Sequence, residues 1–170
     1  MVGIGDSMVY VFCYRGDMVS SDLRKEVLHR YHDITNSMVY AHLYYEDGAP
    51  HLDNGKYVSI THTGDLLGER IELIAIGDSA VGIDIEREDR MLKMDIATRY
   101  FTHDEIEYIS GDNRHFLELW TKKESYGKSR GEGLYLDSVM NIEGFREYPL
   151  YDGFITMLYS EDCDVTFVAI

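Results

Sequence analysis

Two short runs hold the residue types that do chemistry. Gly82-Ile83-Asp84-Ile85-Glu86 sets two carboxylates two residues apart. Trp120-Thr121-Lys122-Lys123-Glu124-Ser125-Tyr126-Gly127-Lys128 sets a carboxylate four residues before an ammonium. On a strand, side chains alternate, so Asp84 and Glu86 point to one face. On a helix, residues four apart stack, so Glu124 and Lys128 share a face with Trp120. Three carboxylates and one ammonium can therefore converge from two elements. Oxygen ligands suit a hard cation such as Mg²⁺, and a nearby lysine suits the phosphate that such a cation carries.

Each run also has a plainer reading. Acidic residues in a strand usually face water. Here Gly82, Ile83 and Ile85 make the strand largely apolar, and two acids on one face of a buried strand need a partner. That favours metal ligation by Asp84 and Glu86. Glu124 and Lys128 alone would be an ordinary surface pair worth about 0.2–0.5 kcal/mol. Beside the strand acids, and with Trp120 on the same face, they read as functional. Lys123, Lys128 and Arg130 add positive charge that can hold phosphates, whereas Lys122 reads as part of a solvated helix face. His29 and His32 sit three residues apart with nothing nearby to complete a metal site, and read as helix surface. Met91, Leu92, Met94 and Ile96 read as core.

The elements that must position these groups follow from periodicity and breakers. Strands are expected over 8–14, 37–45, 57–62, 71–76 and 80–85, with a turn at Glu46-Asp47-Gly48-Ala49-Pro50. A helix is expected from the capping residues Ser20-Ser21-Asp22 to about Tyr31. Further helices are expected over 95–100, 102–109 and 113–128. Thr102-His103-Asp104-Glu105 has capping-box form, with Glu105 at the third helical position. Gly131-Glu132-Gly133 ends the last helix. Segments 142–147, 151–159 and 165–170 read as a closing antiparallel meander. The fold class is α+β.

Composition narrows the function. The 170 residues, 45% of them hydrophobic, suffice for a folded core. A net charge of −15, from 16 basic and 31 acidic residues, disfavours general nucleic-acid binding. No apolar run approaches the ~18 residues of a membrane span. No signal peptide is read at the N-terminus, so a cytoplasmic location without membrane contact is expected. Cys13 and Cys163 fit no metal spacing and read as reduced and buried.

The two runs closely resemble the signature of the 4′-phosphopantetheinyl transferases. That signature is a G-[IV]-D-[IV]-E strand and, a few dozen residues later, an aromatic residue, Ser or Thr, any residue, then K-E-[SA]-x-x-K. Two further runs resemble the surfactin-synthetase-activating branch. Ser59-Ile60-Thr61-His62-Thr63-Gly64 is similar to its N-[IL]-S-H-S-G segment. Arg99-Tyr100-Phe101-Thr102-His103-Asp104-Glu105 is similar to its R-F-F-S-x-x-E segment. The resemblance covers roughly Ser20 to the C-terminus.

The resemblance implies a pseudo-twofold pair of α+β lobes with antiparallel sheets and packed helices, divided at residue 80 into an N-terminal lobe (1–80) and a C-terminal lobe (81–170). It implies Mg²⁺-dependent transfer of 4′-phosphopantetheine from coenzyme A to a serine of an apo acyl- or peptidyl-carrier protein. Glu124 then completes the metal site with Asp84 and Glu86. Lys128, Lys123, Thr61 and His62 contact phosphate. Glu105 carries two readings of equal weight, a capping residue or the general base, and Glu124 is the other candidate base. The 91–96 segment would border the carrier-protein groove. Two departures stand out. Only about twenty residues precede the first helix, without the basic segment of longer members, and Ala49 stands where the family usually has Lys or Arg. Both weaken the expected grip on the coenzyme's 3′-phosphate. Other classes fit parts of the pattern. One is a non-catalytic coenzyme- or carrier-binding relative. Another is a metal-dependent nuclease, which the net charge and the Lys-after-Glu order oppose.

Overall fold

Alternation and turn residues set out nine strands and four helices in the computed structural model, which describes residues 7–38, 40–64, 67–91, 93–162 and 164–170. The order is β1 (Met8–Gly16), α1 (Ser20–Thr35), β2 (Leu43–Glu46), β3 (Ala49–Leu52), β4 (Tyr57–Gly64), β5 (Arg70–Gly77) and β6 (Val81–Arg87), followed by α2 (Met94–Tyr100), α3 (His103–Ile109), α4 (Asn113–Ser129), β7 (Phe145–Glu147), β8 (Phe154–Ser160) and β9 (Asp164–Ala169).

One sheet runs β4-β5-β1-β9, and a second runs β6-β8-β7. In the first, β5 pairs antiparallel with both β1 and β4. Its two faces bury different partners. Phe12, Tyr14, Ile74 and Ile76 meet Leu23, Val27 and Tyr31 of α1. Val9, Val11, Ile71, Leu73 and Ala75 meet Val81, Ile83 and Ile85 of β6 and Leu158 of β8. The outer face of the second sheet packs on the helices, where Ile155 joins Phe101, Phe116, Leu119 and Trp120. The layers therefore run α1, first sheet, second sheet, α4. Because β6 faces the first sheet with its odd-numbered residues, its even-numbered ones, Gly82, Asp84 and Glu86, face α4.

Several expected boundaries shift. The strand expected over 37–45 begins only at Leu43, and Val39 lies outside the described residues. The turn expected over 46–50 shrinks to Asp47-Gly48, both with positive φ, and Ala49 opens a strand instead. The first helix starts at Ser20 with Val19 at its cap and no side-chain cap bond. The meander expected at the C-terminus is broken. β7 and β8 pair antiparallel, but β9 leaves them and pairs parallel with β1, from Met8↔Asp164 to Cys13↔Ala169. The chain thus crosses back over the division expected at residue 80. Met91 is 72% exposed rather than core, whereas Ile96 packs on the helical cluster. Leu92 and the Met94 side chain lie outside the described residues. Cys13 is a free, half-buried thiol whose pKa burial pushes up to about 11. Cys163 lies outside the described residues. Among the described residues no helix is long and apolar enough to cross a membrane.

Candidate functional site

The site is built where α4 lies across β6. The approach is so close that a Cβ on Gly82 would fall 1.7 Å from the Ser125 carbonyl oxygen. Only glycine admits the helix at that point, and that seats Glu124 and Lys128 over Asp84. A second close approach, at Gly127, brings the Gly133 carbonyl oxygen to within 2.0 Å of where a Cβ would stand, so the chain leaving α4 folds straight back along it.

The outer edge of β6, buried against the first sheet, is fastened by side chains of β4. Ser59 Oγ accepts the Ile83 amide at 3.0 Å, and Thr61 Oγ1 donates to Asp84 Oδ1 at 3.0 Å. Lys128 Nζ donates to the same Asp84 oxygen at 2.6 Å and to the Ile83 carbonyl at 3.4 Å. The other oxygen, Asp84 Oδ2, is buried and has no hydrogen-bond partner. Glu86 Oε1 accepts the Trp120 indole N–H at 3.1 Å and the Arg90 guanidinium. Burial, then the charge of Asp84, pushes the Glu86 carboxyl up to about 7, against opposing contributions from Arg90 and Trp120. Burial and Asp84 also raise Glu124, opposed by Lys128 and Arg90. The charge of Asp84 therefore adds to burial in raising the proton affinity of both Glu86 and Glu124. A bound cation relieves that strain.

These residues fit a hard divalent cation by two features: an orphaned buried carboxylate oxygen and a like-charge trio. The ligands are not drawn together as they stand. Among the described residues no three His, Cys, Asp or Glu form a ready-made metal cluster. Cations of the chain, Lys128 and Arg90, hold Asp84 and Glu86 instead.

Beside Lys128 opens a cleft of about 300 Å³, lined in part by Ala49, His51, Lys56, Tyr57, Lys128 and Arg130. Lys56 is paired with Asp78, and Arg130 with Glu132. Thr61, expected to contact phosphate, stands at the site with its hydroxyl donating to Asp84. Alternation turns His62 to the other face of β4, beside its register partner Glu72, and leaves it exposed. It is not joined to the Asp84 cluster.

Lys123 and Glu105 are also taken elsewhere. Both side chains are fully buried and paired at 2.9 Å. Lys123 Nζ donates to the Asp137 carbonyl at 2.6 Å and lies over the Phe101 ring at 5.4 Å. Glu105 accepts the Thr102 amide at 2.9 Å, closing the capping box, and the Val139 amide at 2.9 Å. Lys123 thus has no exposed surface for a phosphate, and in this structure Glu105 is a cap and ion-pair partner rather than a base in reach of solvent. Residues not singled out in the sequence complete the site: Ser59, whose hydroxyl spacing with Thr61 along one strand face was the available signal, and Arg90, four residues after Glu86.

Residues 80–154 match the family model of the 4′-phosphopantetheinyl transferase superfamily. The chain is 33% identical over 96 residues to the 4′-phosphopantetheinyl transferase gsp of Aneurinibacillus migulanus, covering 54% of this chain and 38% of that protein. It is 31% identical over 85 residues to the 4′-phosphopantetheinyl transferase Sfp of Bacillus subtilis (strain 168), covering 47% and 35%. It is 31% identical over 83 residues to the 4′-phosphopantetheinyl transferase psf-1 of Bacillus pumilus, covering 46% and 33%. The matched stretch thus spans about a third of each relative's length. The segment similar to the 4′-phosphopantetheinyl transferase superfamily is the one that carries Asp84, Glu86, Glu124 and Lys128.

Proposed function

We propose that the protein transfers 4′-phosphopantetheine from coenzyme A to a serine hydroxyl of an acyl- or peptidyl-carrier protein, with Mg²⁺, in the cytoplasm. The observation that carries this reading is Asp84 Oδ2, a buried carboxylate oxygen without a hydrogen-bond partner, on a residue held by Lys128 and coupled to the raised carboxyls of Glu86 and Glu124.

In this reading Asp84, Glu86 and Glu124 hold the cation, which when bound neutralises pyrophosphate charge and polarises the attacked phosphorus. Lys128 lines the adjoining cleft and is the natural donor to a phosphate oxygen there. Thr61 and the Ile83 carbonyl keep Asp84 and Lys128 in place. The serine oxygen bonds to the β-phosphorus while the bond from that phosphorus to the bridging oxygen breaks. 3′,5′-Adenosine diphosphate leaves with the electron pair. Glu124 takes the serine proton directly or through water. Catalysis is then mainly positioning and charge neutralisation. The cleft wall at Ala49 lacks the cation that longer relatives are expected to place there, so the 3′-phosphate is held by other groups or only weakly.

The test is to incubate the protein with Mg²⁺, coenzyme A and a panel of apo-carriers and to follow the carrier's mass. A phosphopantetheine adduct on the carrier serine is the expected result. Coenzyme binding without transfer to any carrier would instead support a non-catalytic relative.

A further inference from the structure

The carboxylate trio already holds a cation that the phosphate chemistry does not use. Arg90 follows β6 by one turn, and its guanidinium contacts Glu86 Oε1, the oxygen that also accepts the Trp120 indole at 3.1 Å. The same guanidinium lies 5.0 Å from the Trp120 ring centroid, over its face. Its charge also reaches Glu124, where it opposes the effect of burial. The two strand acids are thus served differently. Lys128 holds Asp84 from the cleft, where a phosphate would sit. Arg90 holds Glu86 from the outer side and is 39% exposed.

The backbone of Arg90 is held independently of its side chain. Asn113 Nδ2 donates to the Arg90 carbonyl at 3.0 Å, and the Arg90 amide donates to the Arg87 carbonyl at 3.1 Å. Only side-chain torsions separate the guanidinium on Glu86 from one in water. A cation coordinated by Glu86 and a guanidinium on the same carboxylate are like charges a few ångströms apart, a strong repulsion in a partly buried setting.

We propose that Arg90 is a resident counter-cation of the Asp84, Glu86 and Glu124 cluster, which a divalent metal must displace from Glu86 and which thereby sets the metal affinity. This rests on the metal-binding role of the trio given above. Arg90 acts through Glu86 and touches neither substrate nor phosphate. Its removal leaves three acids with one ammonium, a weaker cluster when metal-free and a stronger ligand set when loaded.

Trp120 is the only tryptophan in the chain, so its emission reports this exchange directly. MgCl₂ alone is titrated into the metal-free full chain, without coenzyme, while heat and tryptophan emission are read together. In the wild type, emission should change in step with heat as the guanidinium leaves the indole. Arg90→Met should bind Mg²⁺ on the order of tenfold more tightly, with a smaller emission change. Arg90→Lys, which keeps the charge, should fall between the two. Equal or weaker binding by Arg90→Met overturns the proposal. So does wild-type heat without an emission change, an outcome that needs no variant to fold. Absence of binding heat in every protein would instead remove the metal-binding reading itself, and this inference with it.

Discussion

Two carboxylate–ammonium pairs hang from α4, and they are finished differently. Lys123 and Glu105 are both fully buried, and every polar atom of the pair has company: Thr102 and Val139 amides on Glu105, and backbone carbonyls and an aromatic face for Lys123. Lys128 and Asp84 are as close in space, at 2.6 Å, yet one oxygen of Asp84 is left bare and Lys128 is 27% exposed. The first pair closes on itself and ties α3, α4 and the 137–139 loop together. The second stops short of closure at Asp84, and its lysine lines a cleft. Residue type does not separate a structural ion pair from a chemical one. The number of unfilled hydrogen-bonding positions does.

The largest effect belongs to the closed pair. Lys123→Met leaves a buried, uncompensated carboxylate and should cost about 3–5 kcal/mol in chemical unfolding. Replacing Glu105 as well, by Leu, should recover much of that loss, because an apolar pair tolerates the same burial. A silent Lys123→Met would mean that the pair carries no structural weight. At the open pair the effect moves from stability to rate. Glu124→Ala should lower carrier modification by roughly 100-fold or more. Its metal-free melting temperature should hold or rise, because a like-charge cluster is relieved. Unchanged turnover in that variant would remove Glu124 from the chemistry.

The smallest effect sharpens the contrast through pH. The Glu86 carboxyl is raised from 4.5 to about 7, so the folded protein binds this proton more tightly than the unfolded chain does. The stability it contributes is fully present below about 4.5 and is lost as pH rises to about 7. Metal-free wild type should lose melting temperature across that window relative to Glu86→Gln. Parallel melting curves for the two proteins would place Glu86 outside the coupled cluster.

Much of this was legible in the sequence because it is local. The strand acids, the helical spacing of Glu124 and Lys128, and the capping box of Thr102 and Glu105 are all set within a few residues, and the fold keeps each of them. What escaped depends on partners far along the chain. Lys122 and Lys123 are adjacent and chemically alike. A rotation of about 100° per residue sends one to Glu118 at the surface and the other to Glu105 in the interior. Nothing near Lys123 announces that partner. The strand over 164–169 alternates as a meander strand would, and alternation is silent on which neighbour it joins. Residues 37–38 and 40–42 lie outside any strand, and the hairpin of β2 and β3 supplies only four rungs.

The crossing of β9 bears on how this chain reaches its fold. The first sheet gains its fourth strand from a segment whose register partners, Met8↔Asp164 onward, lie at nearly opposite ends of the chain. Closing so long a loop carries an entropic cost, and such pairings slow folding. The helices α2 to α4, with their short connections, can form early. The parallel ladder between β1 and β9 waits for almost the whole chain. Refolding should therefore show the helical signal recovering ahead of the environment of the Tyr10 and Phe167 rings carried by that ladder.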